Sequence, residues 1–182
     1  QVPFFSKKAC ARTQLQARNK NTQIWARKTR YKFFDSLKDK GWLIALGHTQ
    51  DDLVENVVMR ISRGHGPRSV GGMSPLHKGY WRPFLQTPKK DLVEWLNRKN
   101  LPYRVDSSND KLIYSRNVVR KTMIPVLEKL YSRASEKIAR FADDIKDLDD
   151  FVVEKLKAKE TSYDQTTLDK SFVCSLSRGV AF

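Results

Sequence analysis

Trp42-Leu43-Ile44-Ala45-Leu46-Gly47-His48-Thr49-Gln50-Asp51-Asp52-Leu53-Val54-Glu55-Asn56-Val57-Val58 decides the fold class. The first five residues are a continuous apolar run without alternation, which suits a strand covered on both faces of a parallel sheet. Gly47 closes the run. Thr49 then caps a helix, with Asp52 at the third helical position in a capping-box arrangement. Leu53, Val54, Val57, Val58 and Ile61 form one apolar stripe along that helix. The unit before it repeats the pattern. Residues 2–8 read as a short strand, and Thr22 to Asp39 as a helix with Ile24, Ala26, Tyr31, Phe34 and Leu37 inward. Strand, helix, strand, helix predicts an α/β fold, part of a doubly wound parallel sheet, followed by a helical segment.

Downstream, residues 63–79 form a loop punctuated by Gly64, Gly66, Gly71, Gly72 and Gly79. Tyr80 to Leu85 is a short extended piece. Thr87-Pro88 opens a helix in N-cap and N1 order, with Leu92, Val93, Trp95 and Leu96 inside. Asp106-Ser107-Ser108-Asn109-Asp110 is a polar turn before a helix that starts near Ser115 and bends near Pro125. The last long helix places Ala134, Ile138, Phe141, Ile145, Leu148 and Val152 at spacings of four and three, the mark of a packing seam.

The 182 residues carry a net charge of +15, with 40% apolar content, so the chain is long enough to bury a core. No run reaches the roughly 20 apolar residues of a membrane span. The N-terminus lacks an initiator Met and a signal-peptide layout, and reads as the interior of a longer protein. Cys10 and Cys174 stand alone, which fits reduced thiols in the cytoplasm. The positive charge is segregated: Lys7, Lys8, Arg12, Arg18, Lys20, Arg27, Lys28, Arg30, Lys32, Lys38 and Lys40 face only Asp35 and Asp39 in the first forty residues. Residues 143–150 reverse the sign. A segregated basic region is the footprint of a nucleic-acid partner.

In an open parallel sheet, ligands collect beyond the carboxyl ends of strands, where the next helix begins. That place holds His48, Asp51, Asp52 and Glu55. At 100° per residue, Asp52 and Glu55 lie about 60° apart, opposite the apolar stripe. They share a polar face read as open to solvent or ligand, so neutralising either should change stability by less than about 1 kcal/mol. Either a capping role or general acid–base chemistry fits that placement. Arg63-Gly64-His65-Gly66 fits neither a Walker loop nor a dinucleotide fingerprint. It is either a backbone anion nest or a plain helix-ending loop. Arg116 and Arg120, four apart on one helix face, suit phosphate or developing negative charge. His48, His65 and His77 have no zinc-site spacing, and no protein-bound metal is expected.

The order of these pieces resembles tRNA(Ile)-lysidine synthetases, ATP-pyrophosphatases of the PP-loop type. The resemblance runs through Ala26-Arg27, Arg30-Tyr31, the Gly47 to Glu55 stretch, Arg63-Gly64-His65-Gly66, Gly72-Met73 and Arg82-Pro83-Phe84-Leu85. It continues through Asp106-Ser107-Ser108-Asn109, Arg116-Asn117-Val118-Val119-Arg120 and Pro125-Val126-Leu127. The resemblance implies adenylation, by ATP with its Mg²⁺, of C2 of the wobble cytidine of the isoleucine tRNA with a CAU anticodon. The ε-amine of L-lysine then displaces AMP to form lysidine, which changes decoding from AUG to AUA.

By the same resemblance Asp52 and Glu55 handle the cationic amine or hold Mg²⁺, and Arg120 with Arg116 contacts phosphate. His48, Asp51, Arg63, Gly64, Gly66 and Asn117 serve as substrate or structural loop residues. Residues 1–128 correspond to the C-terminal part of the catalytic domain, and 129–182 to a helical linker and the start of a tRNA-binding domain. A homodimer is a further expectation. The family's SGGxDS-type glycine loop does not occur here, so the chain alone is expected to be inactive. Gln23 stands in place of the family's Glu, and Asn56 in place of its Thr. Two other readings compete: a tRNA-thiolating ATP-pyrophosphatase, which the isolated cysteines disfavour, and an RNA-binding module without activity.

Overall fold

The computed structural model describes residues 3–8, 22–104 and 115–160, the side chains at 22, 23, 115 and 156–160 excepted. Cys10, Cys174, Arg12, Arg18, Lys20, Gln23 as a side chain, the Asp106–Asp110 turn and residues 161–182 lie outside that description. The chain divides into two compact units, the first made of Gln1–Leu46 and Pro75–Trp81, the second of Gly47–Ser74 and Arg82–Phe182.

In the first unit, helix α1 (Thr22–Lys38) accompanies strands β1 (Ile44–Ala45), β2 (Leu76–His77) and β3 (Tyr80–Trp81). The sheet order is β1-β3-β2. β1 runs parallel to β3, pairing Ile44 with Tyr80, whereas β2 and β3 form an antiparallel hairpin. The expected α/β class and parallel pairing are present in β1 and β3, and the β2–β3 hairpin adds an antiparallel edge that makes the sheet mixed. The cause is local: Lys78 and Gly79 have φ of 48° and 77°, the left-handed pair that a two-residue hairpin turn demands. A Cβ on Gly79 would come within 2.8 Å of Lys38 Cδ, so glycine also makes room for that side chain. Lys38 Nζ donates to the Lys78 carbonyl at 3.0 Å, and the Tyr80 hydroxyl donates to Asp35 at 2.6 Å.

Other expectations for this unit are corrected. Residues 3–8 pair with no strand among the described residues, and Phe5 instead packs edge-on against Trp42 at 5.5 Å between ring centroids. The apolar run shrinks to a two-residue strand whose neighbours Trp42 and Leu43 are 44% and 56% exposed. Ile24 is exposed, while Tyr31, Phe34 and Leu37 are half-buried as their spacing requires.

The second unit holds α2 (Gln50–Ile61), α3 (Pro67–Val70), α4 (Lys89–Arg98), α5 (Ser115–Val118), a π-helical turn (Val119–Met123), α6 (Ile124–Leu130) and α7 (Ala134–Glu160). Tyr80 to Leu85 is not one extended piece, because Leu85 N–H closes a turn onto the Arg82 carbonyl. Leu53, Val54, Val57 and Val58 of α2 pack with Val70, Leu85, Val119, Ala139 and Ala142. Fully burying a Leu or Val contributes roughly 1.5–3 kcal/mol, so this stripe anchors the unit. Ile61 departs from the stripe and stays exposed.

Of the expected seam, Ala134 is buried and Ile138 packs against the core, joined there by Ala139 and Ala142, whereas Phe141 and Leu148 are exposed. Alanines at the contact let two helix axes approach closely, which bulky residues would prevent. Ala139 and Ala142 of α7 share one buried cluster with the apolar stripe of α2. No helix among the described residues is long and apolar enough to cross a membrane.

α7 is capped by an acid from the helix before it. Glu128 accepts the Ala134 and Ser135 amides at 3.1 and 2.7 Å. Hydrogen bonds from Ser135, side chain and backbone, hold its carboxyl below the ordinary 4.5. A folded-state pKa below the unfolded one adds stability above the unfolded value, and that stability is lost as pH falls through the folded value. Glu128→Gln should therefore cost about 1 kcal/mol near neutrality. The gap to wild type should close in acid below the ordinary glutamate range. Urea unfolding across pH measures it, and a gap independent of pH would contradict the charged cap.

Candidate active site

The site grows from the start of α2. Thr49 is its N-cap, and the Asp52 carboxylate reaches back to accept the Thr49 amide at 2.9 Å and hydroxyl at 3.3 Å, both through Oδ2. The other oxygen, Oδ1, faces across to α5 and the π turn. Arg116 Nη2 lies 2.5 Å from it and Arg120 Nη2 3.5 Å.

One turn further along α2, Glu55 is 0% exposed. Its two oxygens are divided between the same arginines: Arg116 Nε donates to Oε2 at 2.6 Å, and Arg120 Nε donates to Oε1. Two carboxylates thus meet two guanidinium groups, and the cluster is neutral as a whole. For Arg120, burial disfavours the cation, but the hydrogen bond to Glu55 and the charges of Glu55, Asp52 and Asp51 outweigh it. Its pKa is raised, and it remains a cation at every accessible pH.

The expectation of an open polar face is corrected here. The face opposite the apolar stripe is roofed by α5 and the π turn, which carry the two arginines. Hydrophobic periodicity reports which face of a helix is apolar; it cannot report what covers the other. Arg116 is the most open member, with 43% of its side chain exposed against 32% for Arg120 and 17% for Asp52.

The remaining candidates occupy distinct places. Asp51, adjacent in sequence, turns away from the cluster and accepts the Lys89 amide at 2.7 Å, at the start of α4. His48 Nδ1 accepts from Arg82 Nε at 3.3 Å, which puts the proton of a neutral imidazole on Nε2. Arg82 also donates to the Ser74 carbonyl at 2.8 Å. Arg82 was not singled out as a site residue, although the Arg82-Pro83-Phe84-Leu85 motif contained it. Asn117 is half-buried beside Arg116 on α5.

Arg63, Gly64 and Gly66 are exposed at the far end of α2, about 14 Å along the axis from Glu55 for Gly64 at 1.5 Å per residue. The Gly64 amide bonds the Ile61 carbonyl at 2.9 Å and the His65 amide the Arg60 carbonyl at 3.1 Å, so this loop closes the helix. The structure brings Asp52, Glu55, Arg116 and Arg120 together and leaves the glycine loop apart.

The acidic pair does not fit a divalent cation. A Mg²⁺ ion needs free carboxylate oxygens, and all four here already accept from Thr49, Arg116 or Arg120. No group of three His, Cys, Asp or Glu side chains among the described residues has the geometry of a metal site.

The PP-loop domain family matches residues 1–127. The tRNA(Ile)-lysidine synthase of Bacillus cereus is 38% identical over 128 residues, covering 67% of this chain and 27% of that protein. Those of Parabacteroides distasonis and Treponema denticola are 34% identical over 148 residues and 32% over 163. They cover 80% and 87% of this chain, and 31% and 35% of theirs. The chain spans about a third of the length of these curated relatives.

Proposed function

This chain belongs to the PP-loop domain family, and we propose that it forms the lysine-handling part of a cytoplasmic tRNA(Ile)-lysidine synthase. The observation that carries the reading is the Asp52–Glu55–Arg116–Arg120 cluster: a carboxylate pair held in balance by arginines, within the segment similar to those enzymes. A neutral cluster of this kind exchanges one cation for another at little electrostatic cost.

Arg116 is the exchangeable cation, being the most exposed. The ε-ammonium of lysine takes its place between Asp52 Oδ1 and Glu55 Oε2. Asp52, the more accessible acid, accepts the proton, which leaves a neutral amine to attack. The N–C2 bond forms and the C2–O bond to AMP breaks. Released Arg116 and retained Arg120 then face the phosphate charge of the departing AMP. ATP, when bound by the domain, supplies the adenylyl group that activates C2. Mg²⁺ would enter with ATP, on its phosphates. Exposed Arg27, Lys28, Arg30 and Lys32 on α1 supply sequence-independent attraction for the tRNA phosphates.

The test is a graft. Replacing the corresponding segment of the Bacillus cereus enzyme with this chain should preserve incorporation of labelled lysine into tRNA(Ile). The same graft should reject norleucine, which lacks the ε-amine. A folded graft that adenylates tRNA yet leaves lysine unattached would remove the amine-handling role from these residues.

A further inference from the structure

We infer that Pro125 is a positioning residue: through the π-helical turn before it, it sets the register in which Arg116 and Arg120 meet the same buried carboxylate. The turn spans Val119–Met123, and the Ile124 amide donates to the Val119 carbonyl five residues back. Pro125 is the second residue of α6. It has no N–H to offer the Lys121 carbonyl four residues earlier, and its ring crowds that position. Widening the turn by one residue accommodates the ring.

Two consequences of that extra residue are visible. Val119 is 6% exposed in the core, and Ile124 packs against the same core. Five residues apart in a regular α-helix, they would point about 140° away from each other. The π turn puts both on one face. The second consequence lies on the arginine side. Glu55 is fully buried and cannot move to follow its partners, so the angle at which α5 and the π turn present Arg116 and Arg120 decides whether both Nε–H groups reach it. A regular helix through 119–125, with α6 held in place, would turn that face by about 100°.

The experiment compares three chains by the ¹⁵N signals of arginine Nε–H groups, which exchange slowly when they donate to a buried carboxylate. The wild type should show protected signals for Arg116 and Arg120. Pro125→Ala restores the missing amide, allows a regular helix and should lose both. Deleting Thr122 from the Pro125→Ala chain removes the extra residue, puts Val119 and Ile124 four apart and should bring both signals back. Should Pro125→Ala fail to fold, the deletion variant alone decides. Protected signals surviving in Pro125→Ala, or failing to return on deletion, overturn the inference.

The consequence for catalysis rests on the lysine-handling reading, and lysine affinity should follow the signals across the three chains. A wild type that shows both signals but binds no lysine sinks that reading and leaves the positioning role standing.

Discussion

Replacing Glu55 with glutamine should destabilise the protein by about 3–5 kcal/mol, the usual cost of breaking a buried ion pair from one side. The substitution is nearly isosteric, so packing contributes little. The cost comes from charge. Glu55 is 0% exposed, and each of its oxygens accepts from a different guanidinium. Glutamine keeps one acceptor and turns an N–H₂ donor towards the other arginine. One of two opposed donors must then lose its partner at a fully buried acceptor, and one positive charge beside it goes uncompensated. Chemical denaturation should show a lower midpoint with an unchanged dependence on denaturant. Adding Arg120→Gln restores the charge balance and should recover at least about 1 kcal/mol, a coupling expected of residues in direct contact. A single-substitution cost under about 1 kcal/mol would mean that Glu55 is not held as described.

That expectation reverses the one drawn from sequence, and the reason marks where reading residues stops. The start of α2 was legible because its signals are local. Thr49 and Asp52 stand three apart, and Leu53, Val54, Val57 and Val58 recur at helical spacing; both features follow from 3.6 residues per turn alone. The i, i+4 spacing of Arg116 and Arg120 likewise put two guanidinium groups on one face. Their meeting with Asp52 and Glu55 is a contact across more than sixty residues, which no periodicity encodes. Asp51 illustrates the same limit, since its partner is the amide of Lys89. In α7 the large residues Phe141 and Leu148 read as part of the seam, yet they are exposed and the fully buried positions are Ala134, Ala139 and Ala142. Pro125 was legible as a disturbance but not as a widened turn, because a kink and a π turn relieve the same clash.

Asp52→Asn should separate chemistry from architecture. Asparagine can keep the cap, since its side-chain carbonyl can accept the Thr49 amide as Oδ2 does. Its amide group then faces Arg116, but that guanidinium is 43% exposed and water can take up the freed donor, so stability should fall by about 1–2 kcal/mol, less than for Glu55→Gln. Turnover in the grafted enzyme should nevertheless drop by about 10²–10⁴, the usual contribution of a group that takes a proton in the reaction. The loss should appear in single-turnover lysine attachment, with tRNA adenylation left near normal. Arg116→Gln gives a complementary pattern. The amine no longer competes with a resident guanidinium, so the KM for lysine should fall while kcat also falls, the signature of lost transition-state help alongside easier entry. A purely structural cluster predicts something else: lower melting temperatures for both variants and unchanged turnover per folded molecule. Measuring unfolding and single-turnover attachment on the same preparations distinguishes the two. Folded Asp52→Asn protein with wild-type attachment rates would leave Asp52 as a helix cap and nothing more.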